Sequence, residues 1–137
     1  MDWYKIEIPG VPIAKKRPRF ARRGKFVVTY NSQETEEGRF YLDARQQWKE
    51  APIQSPIELK AFFYMPIPKG TSKKKRELSL CGDIKHVKRA DIDNLLKFSV
   101  DCLTGLVWSD DAQVWKVEME KSYSDNPRTL LYFRRSS

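Results

Sequence analysis

The sequence predicts an α+β fold, a single compact domain over residues 1–137 in which a mixed, mostly antiparallel sheet packs against helices. Three observations predict it. Runs of period two stand near both ends of the chain, at residues 3–8 and 114–123, and a last short strand follows at 129–133. Runs of helical period lie between them, following Ser32 and across residues 92–103. The length suits one domain, and 40% hydrophobic residues suffice for a core.

In chain order, residues 3–8 alternate as a strand and stop at Pro9-Gly10. Residues 15–25, KKRPRFARRGK, hold seven basic residues and no acid, and residues 26–30 form a short β-type run. Asn31 and Ser32 can cap a helix whose first turns carry Glu34, Glu36 and Glu37, where the positive end of the helix dipole favours acids. Phe40, Tyr41, Ala44 and Trp48 give it an apolar face, and Pro52 ends it. Residues 57–65 read as a buried strand closed by Pro66 and Pro68, and residues 71–80 as a short helix. Ile92, Leu95, Leu96, Val100 and Leu103 follow helical spacing, and Gly105 is a natural stop. From residue 114 to 123, Trp115, Val117 and Met119 alternate with Lys116, Glu118 and Glu120. Asp125-Asn126-Pro127 then turns the chain into the last strand, so the final two strands are expected to pair as a hairpin.

A net charge of +8 favours a polyanionic partner. The expected DNA contacts are Lys15, Lys16, Arg17, Arg19, Arg22, Arg23, Lys73, Lys74, Lys75, Arg76, Lys88 and Arg89. Phosphate contacts of this kind weaken with salt and carry little sequence information. A membrane surface is disfavoured, because no long apolar run and no basic amphipathic helix occur. The N-terminal stretch lacks a signal-peptide core, so the expected location is cytoplasmic. Cys81 and Cys102 form no zinc pattern and read as reduced packing residues. The lone histidine, His86, reads as a surface residue and argues against chemistry that needs several.

Within this basic chain, carboxylates gather at Asp91 and Asp93 and again at Asp110 and Asp111. Two readings stand. In the first, these oxygens bind a divalent metal for phosphodiester hydrolysis, with Lys97 stabilising charge on the phosphate. In the second, Asp91 caps the helix, Asp93 pairs with Lys97, and Asp110-Asp111 is a polar turn. The first reading expects the helix and the following strand to bring the two acidic pairs together.

The stretch ADIDNLLKFSVDCLTGLVWSDDAQV, residues 90–114, resembles the RusA-type Holliday junction resolvases, small endodeoxyribonucleases of bacteria and their phages. Their pattern is D-x-D-N-L-x-K, a helix end, then W-x-D-D-x-Q-V. GVPIAKKRPRF (residues 10–20) and FFYMPIPKGTSKKKR (residues 62–76) are similar too, in the same order. Ala90 and Ala14 stand where many members carry Pro, and Cys102 where Ala is common, but none of these removes a functional group. The resemblance implies a homodimer that binds four-way DNA junctions and resolves them by paired symmetric nicks, in recombination and repair. It implies Mg²⁺ as cofactor, with Mn²⁺ as a substitute. Asp91, Asp93, Lys97 and Asp111 match the catalytic positions, and Asp91, Asp93, Asp111 and, ranked lower, Asp110 the metal positions. Two rival functions share the composition: a non-catalytic nucleic-acid-binding module, and a flap- or fork-selective nuclease with the same metal site.

Overall fold

Alternating apolar residues build the central sheet. The computed structural model describes residues 2–17, 19–30 and 33–137, with the side chains at 19–21, 23, 26 and 28–30 outside that description. The elements run β1 (Tyr4–Pro9), β2 (Arg19–Arg23), β3 (Phe26–Tyr30), α1 (Glu34–Gln47), β4 (Ile57–Pro66), α2 (Lys73–Leu80), α3 (Ile92–Leu103), β5 (Val114–Ser124) and β6 (Arg128–Arg135). On β4, Ile57, Leu59, Ala61, Phe63 and Met65 are all buried on one face. That face meets Leu95, Phe98 and Leu103 of α3 and Phe40 and Ala44 of α1 in one core. Phe40 packs edge-on against Phe98 at 5.7 Å. The helix–sheet packing agrees with the predicted α+β class, and α3 runs as its apolar spacing requires.

The sheet order is β1-β6-β4-β5, with β1–β6 and β6–β4 antiparallel and β4–β5 parallel. The sheet is therefore mixed, but the expected hairpin of the last two strands does not form. β4 lies between them. Burial explains the choice: Thr129, Leu130, Leu131 and Phe133 bury β6 on both faces, which suits an interior position. β5, with Lys116, Glu118 and Glu120 on one face, takes the edge.

A second, two-stranded sheet pairs β2 with β3. Its first strand was hidden in the basic run. A two-residue loop at Gly24-Lys25 closes it, and Gly24 has φ +60°, a conformation that favours glycine. The expected caps Asn31 and Ser32 lie outside the described residues. Gln33 holds the N-cap position of α1 without capping it. Its side chain instead donates to Ala14 O and accepts from Lys16 N–H, both at 2.8 Å, tying the preceding segment to the helix. Among the described residues, no helix is long and apolar enough to cross a membrane.

Candidate metal and nucleic-acid site

Asp91 occupies the N-cap position of α3, where a carboxylate ordinarily accepts from a free N–H of the first turn. Its side chain makes no such bond. The Asn94 N–H donates instead to Asp93 Oδ1, at 3.0 Å. Among the described residues no ion pair joins Asp93 to Lys97, one turn further on. Asp91, Asp93 and Lys97 are all exposed. Neither the cap by Asp91 nor the Asp93–Lys97 pair is found, so Asp91 and most of Asp93 remain uncommitted at the positive end of the helix.

Asp110 and Asp111 are presented by a rigid turn. Trp108 is wholly buried and its Nε1 donates to Thr104 Oγ1 at 3.0 Å. The backbone on either side bonds to Ile53, from Ile53 N–H to Val107 O at 2.7 Å. Asp110 then caps a single 3-10 turn, Asp111–Gln113, accepting from Ala112 N–H at 2.9 Å. Gln113 completes the capping box by accepting from Asp110 N–H at 2.8 Å. Gln113 Nε2 also donates to Ile53 O and Ser55 O, at 2.7 and 2.9 Å. The spacing of Asp110 and Gln113 is a cue to this box that sequence reading passed over. The Ala112 N–H, and secondarily the Asp111 side chain, hold the Asp110 carboxyl below its ordinary pKa. Asp110, expected as a lesser metal ligand, also caps this turn. Asp111 is exposed beside it.

Within the chain the two acidic pairs do not meet. Asp91 and Asp93 lie at the start of α3, whereas Asp111 shares a cavity with Asp101, Cys102 and Thr104 at its far end. The 12 residues of α3 span about 18 Å. Among the described residues no three His, Cys, Asp or Glu side chains gather as metal ligands. The expectation that helix and strand join the pairs fails because β5 starts at the C-terminal end of α3 and runs back beside it, parallel to β4.

The profile of a protein family described as endodeoxyribonuclease RusA matches residues 9–132. The chain belongs to the RusA family. It is accordingly a Holliday junction endodeoxyribonuclease, a hydrolase of DNA phosphodiester bonds. It is also 33% identical to the uncharacterized protein YqaN of Bacillus subtilis (strain 168), over 100% of this chain and 99% of that one.

Cations also stand around Asp91 and Asp93. Lys15 N–H donates to Asn94 O at 2.8 Å, which sets exposed Lys16 and Arg17 beside the first turn of α3. Lys16 and Arg39, with Glu36 and Asp43, stand on the rim of a mainly apolar groove of about 610 Å³ that reaches Ala90. Lys69, Lys75 and Lys88 line a second cavity of about 540 Å³, at the N-terminus of α2. Lys73, Lys74, Arg89 and Arg22 are exposed, while the side chains of Arg19 and Arg23 lie outside the described residues.

Two expected DNA contacts also form ion pairs, and the one histidine expected at the surface is buried. Lys15 sits between Glu37 and Asp101, 3.3 Å from each, in a half-buried ion-paired cluster. Burial opposes that charge, but the hydrogen bonds to both carboxylates lift the Lys15 pKa above its ordinary value. Arg76 pairs with Asp125. His86 is buried rather than on the surface, packed against Tyr123 at 4.9 Å, and burial followed by the charge of Lys121 pushes its pKa down. Cys81 and Cys102 are free, and burial pushes the Cys102 thiol up to about 12, so it stays protonated and inert.

The exposed lysines on α2 are the simplest to test. Each lysine that meets duplex phosphate adds about 0.9 to the slope of log affinity against log salt. Replacing Lys73, Lys74 and Lys75 together by Ala is expected to flatten that slope by about 2.7 on the same rule. Titration of a labelled four-way junction at several salt concentrations measures it. An unchanged slope would remove this patch from the DNA surface.

Proposed function

We propose that the protein is a Mg²⁺-dependent resolvase that acts as a homodimer and introduces paired, symmetric nicks into four-way junctions. The observation that carries this reading is Asp91, a carboxylate at a helix N-cap that gives nothing to the helix. Mg²⁺ keeps several waters and needs only one or two carboxylates together with substrate phosphate, so the exposed Asp91–Asp93 pair suits it. When bound, the ion polarises the phosphate and lowers the pKa of an attacking water. Lys97, one turn beyond Asp93, offsets charge that develops on the phosphate. Lys16, Arg17 and the α2 lysines hold the flanking backbone.

The dimer reading rests on β5. It is an edge strand of 11 residues, and long uncovered edges are liabilities that proteins pair or block. Val117 and Met119 lie toward the helix side, paired with buried Leu59 and Ala61, yet are 38% and 36% exposed. Antiparallel pairing of two β5 strands about Val117 would cover them. It would set Lys116 opposite Glu118 of the other copy. It would also carry the other copy's Asp111 alongside Tyr123, at the end of β5 that bonds to Ala90 through Lys121. Two copies thus complete two sites, each joining Asp91 and Asp93 of one chain to Asp111 of the other, and a two-fold enzyme cuts a near two-fold junction twice.

The test is incubation of a synthetic mobile junction with the protein in Mg²⁺ and in EDTA, beside linear duplex and flap controls. Symmetric nicks confined to the junction and to Mg²⁺ are expected. Tight binding without nicks in Mg²⁺ or Mn²⁺ would return the aspartates to structural roles, and preferential flap cutting would change the substrate.

A further inference from the structure

The segment between α2 and α3 contains no helix or strand, so its carbonyls lack regular partners. Two of them face one ammonium. Lys121 Nζ, from β5, donates to Lys88 O at 2.9 Å and to Ala90 O at 3.0 Å. Ala90 is the residue immediately before Asp91. Two positions along the same face of β5, Tyr123 packs against buried His86. Lys121 and Tyr123 therefore fasten the segment to the sheet, and Lys121 does so next to Asp91.

The form of this anchor is informative. Lys121 is half-buried, and no carboxylate lies within ion-pair distance of it among the described residues. Its charge meets backbone carbonyl dipoles, and charge-assisted hydrogen bonds are stronger than neutral ones. Fixing Lys88 O and Ala90 O fixes the peptide units that lead into Asp91, which the helix does not hold through its side chain. Groups that orient a ligand without touching the metal commonly alter metal affinity or activity by 10–100-fold when removed, roughly as strongly as some ligands.

We propose that Lys121 is a positioning residue for the reaction: it holds the backbone before Asp91 so that Asp91 and Asp93 face the metal and the scissile phosphate. This rests on the reading of Asp91 and Asp93 as the metal-holding pair. Sequence alone does not expose it: Lys121 follows Glu120 and falls in phase with Trp115, Val117 and Met119, which marks a charge on the apolar face but not its partners.

The experiment compares wild type, Lys121→Met, Lys121→Arg and Asp93→Asn as full-length proteins. Three quantities are measured: the Mg²⁺ concentration for half-maximal junction nicking, direct Mn²⁺ affinity by calorimetry, and hydrogen–deuterium exchange by segment. Lys121→Met is expected to raise the half-maximal Mg²⁺ concentration and weaken Mn²⁺ binding by about tenfold. Exchange should rise over residues 88–95 and stay at the wild-type level in β4 and β6. Lys121→Arg, which keeps charged donors, should recover part of both losses. Wild-type metal dependence in Lys121→Met overturns the proposal. So does faster exchange throughout β4 and β6, which would make Lys121 a general stabiliser of the fold. If the metal reading itself is wrong, Asp93→Asn matches wild type in Mn²⁺ affinity, an outcome distinct from failure of Lys121 alone.

Discussion

Asp93→Asn is expected to lower junction nicking by about a thousandfold, a loss of about 4 kcal/mol in transition-state stabilisation, and to leave junction binding intact. The substitution separates charge from structure. Asp93 Oδ1 accepts the Asn94 N–H at 3.0 Å, and an Asn side-chain carbonyl can accept the same bond. The start of α3 therefore survives, along with Leu95 and Phe98, which bury the helix behind it. What disappears is a negative charge that a divalent cation requires. On a chain of net charge +8, losing one carboxylate does not weaken attraction to DNA. Single-turnover nicking in Mg²⁺, paired with gel-shift affinity in EDTA, reads the two effects separately. Loss of affinity together with activity would mean that Asp93 supports the fold. Full activity would remove it from the metal site.

The parts of the molecule that sequence made legible are those decided by local periodicity. α3 is one: its apolar spacing, the aspartate at its start and Gly105 after its end all act within a turn or two of the helix. Gly105 adopts φ +92°, where a side chain would be strained. Strand β4 is another, since its alternate buried residues announce a covered face. Partner choice was not legible. The turn at Asp125-Asn126-Pro127 favours a hairpin locally, but burial of β6 on both faces places β4 between β6 and β5. The same long-range choice determines where the carboxylates go. Sequence separation suggested that Asp91, Asp93 and Asp111 could converge. The direction of β5 instead puts them at opposite ends of α3. Lys15 shows a related difficulty: it belongs to the most basic run in the chain, yet Glu37 and Asp101 become its neighbours only after folding.

That separation leads to the second large effect. If Asp111 of one copy completes the site of the other, two inactive proteins should restore each other. Asp93→Asn and Asp111→Asn are each expected to be inactive alone, since every site in either homodimer carries a defect. In a mixed dimer both defects fall in one composite site, and the second site is wild type throughout. Random assortment on co-expression makes about half the dimers mixed, so about a quarter of all sites are intact. Nicking should return to about that fraction of wild type, and each mixed dimer should cut one strand of a junction without the paired second cut. If the three carboxylates acted within one chain, every site in the mixture would keep a defect and no activity would return. Adding Val117→Lys to both inactive proteins supplies the control. It places charge at the centre of the β5 edge, where self-pairing would bring two lysines together. It should abolish the rescue and shift the protein to monomer in sedimentation, whereas a dimer and a rescue that both persist would exclude β5 as the surface through which one copy reaches the other.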